Sequence, residues 1–153
     1  MILTPTSDAA AMSRVHGQAF DAPWTAKAIA ELLAAPGVFA IAVDADAALA
    51  GFILCRAAAG EAEILTLAVS PEHRRRGVAS ALLEAGAVTA HGLGARTLFL
   101  EVAADNEAAL RLYATSDFKP AGRRSSYYAR AGGGVDALVL RRDLNRAVSE
   151  PYD

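Results

Sequence analysis

One stretch constrains this chain more than any other. From Val69-Ser70-Pro71-Glu72-His73 through Arg74-Arg75-Arg76-Gly77 to Val78-Ala79-Ser80-Ala81-Leu82-Leu83, an apolar run stops at a proline, crosses a basic turn and resumes at helical spacing. Ile64 to Val69 reads as a strand, and Val78, Ala81, Leu82 and Ala85 recur as one face of a helix. The turn between them carries the pattern R-x-x-G-x-A. It falls where the first helical turn leaves its backbone N–H groups without intrahelical acceptors, with the positive end of the helix dipole behind them. Gly77 has no side chain to obstruct an approach and Ala79 is small, so a pyrophosphate can lie over this loop. It is neither a Walker loop nor a G-x-G-x-x-G fingerprint. A solvated arginine turn with a glycine at the helix start is the plainer reading of the same residues.

The remaining pattern alternates strands and helices. Met1 to Thr4 is a short strand, and Ser7-Asp8 caps an alanine-rich helix that runs to Phe20. Asp21-Ala22-Pro23-Trp24-Thr25 breaks it, Thr25 caps a second helix over 26–34, and Pro36-Gly37 ends that one. Val38–Val43 and Ala48–Ala57 form a hairpin around Asp44-Ala45-Asp46, and Glu63–Ser70 is the strand entering the basic turn. The helix after the turn runs to about His91 and stops at Gly92-Leu93-Gly94. Arg96–Val102 is the next strand, Asp105 or Asn106 caps a helix to about Thr115, and a hairpin follows from Phe118 and Val135–Leu140 around residues 130–134. Strands rich in Ala, Val, Ile and Leu on both faces suit a central sheet covered by helices, an α/β sandwich with a mixed sheet. One domain over 1–145 and a flexible tail over 146–153 are expected.

Composition excludes several classes. The 153 residues are 54% hydrophobic and 21% charged with a formal net charge of -2, so wholesale nucleic-acid binding and disorder are both disfavoured. Arginines cluster at 74–76, 123–124 and 141–142, without the aromatic interleaving of an RNA surface. Cys55 is the only cysteine, which rules out an internal disulfide, and as a buried strand residue it has no nearby base to make it a nucleophile. His16, His73 and His91 lack metal-ligand spacing, and no metal is expected. No run reaches the roughly 18 apolar residues of a membrane span, so a cytoplasmic protein with no membrane partner, and a monomer, is the default.

Two residues stand out as chemistry. Glu101 sits near the end of the apolar strand Arg96–Val102, where an acid is either salt-bridged, capping a neighbour, or a proton acceptor. Tyr113 lies seven residues after Asn106, two helical turns on, so both can face one ligand. Tyr113 is then either a core aromatic or a general acid, and Trp24, in an interhelical loop, either plugs the core or lines a cleft.

Taken together, A-P-W-T at 22–25, E-I-L-T-L-A-V-S-P-E-H-R-R-R-G-V-A-S-A-L-L-E at 63–84, L-E-V-A-A-D-N-E-A-A-L-R-L-Y at 100–113 and the pair Tyr127-Tyr128 ahead of D-A-L-V-L at 136–140 resemble the GNAT (Gcn5-related N-acetyltransferase) superfamily. Within it they resemble the RimI-type branch, which acetylates the amino-terminal alanine of the eighteenth small-subunit ribosomal protein. The resemblance spans almost the whole chain. It implies a mixed, mostly antiparallel sheet flanked by about four helices, and acetyl-CoA as cosubstrate. Backbone groups of Leu67, Ala68 and Val69 would hold the pantetheine arm like an added strand, and the loop of Arg75, Arg76, Gly77, Val78, Ala79 and Ser80 would hold the pyrophosphate. Asn106 would contact the cosubstrate, Glu101 would accept a proton from the substrate amine through water, and Tyr113 would protonate the departing thiolate. Trp24, Tyr127 and Tyr128 would line the groove for a protein amino terminus. An α-amine, with a pKa of about 7.7 to 8.0, needs only a modest base, whereas a lysine near 10.4 demands more. Two segments depart from the family pattern: Asp117 replaces the usual glycine before Phe118, and Gly122-Arg123-Arg124-Ser125-Ser126 is less basic than the branch leads one to expect. An acceptor that is a small amine or a lysine, or a non-catalytic acyl-CoA-binding module, are the alternatives.

Overall fold

In the computed structural model, which describes residues 1–46 and 48–144, the elements follow the expected alternation. They are β1 (Leu3–Pro5), α1 (Ala9–Ala19), α2 (Ala26–Leu33), β2 (Val38–Ala45), β3 (Ala48–Ala58), β4 (Glu61–Val69), a 3-10 turn (Pro71–His73), α3 (Val78–Gly92), β5 (Thr97–Ala103), α4 (Glu107–Thr115), β6 (Lys119–Arg130) and β7 (Gly133–Asp143). The expected tail over 146–153 lies outside the described residues.

The helix starts have local causes. Asp8 accepts from the Ala11 N–H at 3.0 Å, Thr25 from Ala28 at 3.1 Å and Asn106 from Ala109 at 3.2 Å, so α1, α2 and α4 each begin under a side-chain cap. Helix α3 begins at Gly77 with no side-chain cap at all. The last hairpin is longer than its apolar pattern, because β6 alternates polar residues along an exposed edge that gives no hydropathy signal. Its connection shrinks to residues 131–132.

The strands form one sheet in the order β1-β2-β3-β4-β5-β7-β6, antiparallel throughout except where β4 meets β5. That parallel contact is short: only Glu61↔Thr97, Ala62↔Leu98 and Glu63↔Phe99 are paired. Immediately beyond, the register of β4 against β3 jumps from Cys55↔Ile64 to Leu54↔Thr66, leaving Leu65 as an extra residue. A bulge bends its strand and increases the local twist, so β4 veers from β5 and the sheet splits. From Ile64 to Val69, one edge of β4 pairs with β3 and no strand is paired with the other among the described residues.

Two cores flank the sheet. One packs α3 through Val78, Leu82, Leu83, Ala87 and Ala90 against Ile53, Cys55, Ile64, Leu98 and Leu100. The other packs Met12, Val15 and Ile29 of α1 and α2 against Ala40, Ala42, Phe52, Leu54 and Ala68. Leu82 and Leu83 are fully buried, and truncating either to alanine is a change of about 2–5 kcal/mol. The second core contains no buried residue of β5, β6 or β7. On that face the last three strands therefore have no share in the packed helical layer. No helix among the described residues is long and apolar enough to cross a membrane.

Candidate active site

The basic turn has the shape its sequence implies. Gly77 stands at φ 79° and Arg75 at φ 62°, both left-handed, and this pair of reversals turns the chain from β4 into α3. A Cβ built on Gly77 meets nothing within 4 Å, so the space over the loop is open. With no cap on α3, the N–H groups of its first turn are left for an outside acceptor. The Ser70 oxygen and His73 Nδ1, 2.6 Å apart, close the preceding 3-10 turn. The loop opens on a pocket of about 200 Å³ whose wall includes Val69, Arg75, Gly77, Val78, Ala79, Ser80 and, from α4, Leu112. An uncapped helix start facing a basic pocket is an arrangement that an anionic ligand can satisfy. Asn106 spends its side-chain oxygen on capping α4, which leaves its amide N–H groups for a ligand.

Leu67, Ala68 and Val69 pair with Ile53, Phe52 and Gly51 on one edge and present their other backbone groups to the split. An extended amide-bearing arm fits such an edge in the way an added strand does. The pocket at the uncapped helix lies at the end of this same edge, so the residues present suit a long ligand with phosphates at one end and amides along its length.

Alternation along β5 sends Leu100 and Val102 into the α3 core and Glu101 to the opposite, uncovered face. Its carboxylate is not isolated: Arg124 Nη2 lies 2.9 Å from Oε1, in an ion pair whose side chains are 55% and 28% exposed. Of the roles open to an acid here, the salt-bridged one is therefore realised. The pair lines a cleft of about 430 Å³ together with Arg56, Glu61, Glu63, Phe99 and Val139. Across it Arg56 pairs with Glu63 at 2.7 Å.

Tyr113 belongs to the α3 core and is nearly buried, with its ring edge-on to Phe118 at a centroid distance of 5.7 Å. Burial, followed by the neighbouring Tyr128, pushes its phenol up to about 12. It is thus both a core aromatic and a group that keeps its proton at neutral pH. The Tyr128 phenol is raised by burial and then by the Glu101 carboxylate. Tyr128 therefore lies within electrostatic reach of both Glu101 and Tyr113. Asp117, at φ 67°, adopts the left-handed turn between α4 and Phe118 that aspartate tolerates.

The other aromatics are placed less directly. Tyr127 is 53% exposed and lies under the Arg124 guanidinium, 5.0 Å from its ring centroid. The Trp24 ring stacks on His16 at a centroid distance of 4.9 Å, and the Trp24 backbone N–H donates to His16 Nδ1 at 3.0 Å. His16 is buried, and burial lowers its pKa, which suits a neutral ring that accepts this bond. Packing accounts for Trp24. Arg124 escaped the sequence reading as a partner of Glu101, because β7 separates their strands and no local pattern encodes that reach. Cys55 is fully buried and its thiol is pushed up to about 12, in keeping with an inert core residue. Among the described residues no three His, Cys, Asp or Glu side chains converge on a metal position.

Comparison with known proteins agrees with this geometry. A family model described as the Acetyltransferase (GNAT) family matches residues 9–118. The chain is 30% identical over 135 residues to a ribosomal protein bS18-alanine N-acetyltransferase of Escherichia coli strain K12, covering 88% of this chain and 90% of that one. It is 33% identical over 143 residues to the N-alpha-acetyltransferase RimI of Mycobacterium tuberculosis, covering 90% and 87%. Among solved structures, the ribosomal-protein-S18-alanine N-acetyltransferase from Escherichia coli superposes with a TM-score of 0.87 at 27% identity, over 97% of each chain.

Proposed function

The chain belongs to the acetyltransferase (GNAT) family and is an acetyl-CoA-dependent N-acetyltransferase, and from that premise we propose that its acceptor is the amino-terminal alanine of a protein, a small-subunit ribosomal protein. The observation that carries this reading is the split between β4 and β5, with the unpaired edge of Leu67 to Val69 on one side and the β5 segment that bears Glu101 on the other. Glu101 lies on the uncovered face of β5, beyond the last pair that β5 makes with β4, and Tyr113 packs in the core on the α3 face. An acetyl donor threaded along β4 through that opening has a base on one side and an acid on the other.

In the proposed reaction the free edge of Leu67, Ala68 and Val69 orients the pantetheine arm, and the first turn of α3 with Arg75 and Arg76 neutralises the pyrophosphate. Glu101 takes a proton from the acceptor ammonium through a water. The freed amine nitrogen then bonds to the acetyl carbonyl carbon as the carbon–sulfur bond breaks, and the second proton it sheds passes to solvent. Tyr113 gives its phenolic proton to the departing sulfur and recovers one from solvent. Transfer is direct, with no acyl-enzyme. Because the α-amine titrates at about 7.7 to 8.0, a carboxylate acting through water suffices for it. The cleft beside Glu101 carries Arg56 and Arg124 as well as Glu61 and Glu63, a mixed lining rather than the acidic pocket a small polyamine would call for.

The test uses acetyl-CoA and two short peptides, one starting with a free alanine and one with the same residues, a blocked amino terminus and an internal lysine. Turnover of the free-alanine peptide alone, abolished by Glu101→Gln while CoA still binds, is expected. Turnover of the lysine peptide, or binding of acetyl-CoA with turnover of neither, would overturn the assignment.

A further inference from the structure

We propose that Arg124 is a place-holder for the acceptor: its guanidinium occupies the Glu101 carboxylate until a substrate ammonium, with the water that bridges it to Glu101, displaces it. The inference rests on the reading of Glu101 as the proton acceptor, but not on the identity of the amine.

The ion pair is built across an intervening strand. Glu101 on β5 stands in register with Val139 on β7, and Arg124 on β6 with Ala137, two residues along. The guanidinium therefore reaches diagonally over β7 to put Nη2 2.9 Å from Oε1, inside the cleft that leads to the carboxylate. Nearby arginines have carboxylates of their own. Arg123 pairs with Asp136 at 3.0 Å, Arg130 with Asp105 at 2.9 Å and Arg56 with Glu63 at 2.7 Å. Arg124 alone among these four is paired to the group the reaction needs.

Several features make this pair displaceable. The Arg124 side chain is 55% exposed, so its guanidinium keeps much of its hydration when it leaves. It also has a second seat, the face of Tyr127, which it already covers at 5.0 Å. Its strand is irregular there: the register of β6 shifts between Arg124 and Tyr128, and Ser126 stands at φ 51°. The Ser126 N–H donates to Asp136 at 2.9 Å, which pins the bulge independently of Arg124.

A guanidinium and a water-bridged ammonium compete for the same carboxylate charge, whereas a water alone or a hydroxyl brings no charge with which to compete. Arg124 thus selects for cationic acceptors. It also keeps Glu101 from activating water against the thioester, a side reaction in which a water oxygen bonds to the acetyl carbon, the carbon–sulfur bond breaks and acetate and CoA form. An exposed pair is worth at most about 1 kcal/mol, so the competition is limited to about fivefold.

Two measurements on Arg124→Met decide the matter, with Arg124→Lys as the variant that keeps a cation in place. The first is the KM for the acceptor amine, expected to fall about two- to fivefold in Arg124→Met, with the acetyl-CoA KM unchanged and Arg124→Lys close to wild type. The second is CoA release from acetyl-CoA with no acceptor present, expected to rise up to about fivefold in Arg124→Met and to vanish when Glu101→Gln is added. An acceptor KM that is unchanged or higher, or hydrolysis that stays at the wild-type rate, overturns the proposal. If wild-type protein acetylates no alanine peptide, the acceptor assignment fails by itself, and the hydrolysis measurement still decides the role of Arg124.

Discussion

Tyr113 and Phe118 meet edge-on at a centroid distance of 5.7 Å, and the Phe118 N–H donates to the Tyr113 carbonyl at 3.1 Å, so the end of α4 folds back on itself and fixes the phenol. Phenylalanine at 113 keeps this packing and removes only the hydroxyl. Tyr113→Phe should therefore melt within a few degrees of wild type while kcat for acetyl transfer falls about 100-fold, the usual scale for a lost general acid. Since the phenol holds its proton up to about pH 12, Tyr113 should add no alkaline limb to the kcat profile between pH 6 and 10. A variant with full activity would remove Tyr113 from the chemistry.

The uncapped start of α3 separates backbone strain from ligand contact. In Gly77→Ala the new methyl meets no protein atom within 4 Å, so its stability effect comes from φ alone, about 1 kcal/mol or a few degrees in Tm. The same methyl stands over the loop where a phosphate would lie, and acetyl-CoA affinity measured calorimetrically should drop tenfold or more, the scale of one lost charge-assisted hydrogen bond of about 1.5–3 kcal/mol. Gly60→Ala is the control. Gly60 has the same left-handed φ, 81°, and open surroundings in the β3–β4 turn, so it should lose stability without losing affinity. Equal affinity loss in both variants would mean that the loop does not read the ligand.

Arg142 on β7 is 2% exposed, and both its terminal nitrogens donate to the Glu84 carboxylate of α3, while its Nε has no partner among the described residues. Removing only the acid leaves a buried cation. Glu84→Ala should cost about 2 kcal/mol in urea unfolding, less than a fully buried pair because Glu84 is itself exposed. Adding Arg142→Met should restore most of that loss. A double variant as unstable as the sum of both single changes would contradict this account.

Alkaline stability follows from two buried groups. Cys55 is pushed up from its ordinary 9.0, and Tyr113 from 10.0, each to about 12. Both folded-state values lie above the unfolded ones, so the stabilisation is complete below the unfolded pKa and is lost as pH rises toward the folded one. Each group then contributes a slope of about 1.4 kcal/mol per pH unit, Cys55 from about pH 9 and Tyr113 from about pH 10. Urea midpoints from pH 8 to 11 should decline from pH 9 in wild type and only from pH 10 in Cys55→Ala.

Much of this protein is local, and local features were legible in the chain. Asp8, Thr25 and Asn106 announce three helix starts because a cap is a contact between residues three apart, and Arg75-Arg76-Gly77 announces a basic turn into an uncapped helix because strand, turn and helix follow each other directly. Glu101 was visible as an acid in an apolar strand. Its surroundings were not. The split exists because one extra residue, Leu65, bends β4 from β5, and a bulge is defined only by the partner strand's register. Arg124 reaches Glu101 because β7 returns between β5 and β6, and Tyr128 comes within electrostatic reach of Glu101 and Tyr113 only after that hairpin closes. Capping and turn chemistry act within a few residues and so belong to the sequence alone. The electrostatic neighbours of a side chain are set by strand order and register, and those only the folded sheet decides.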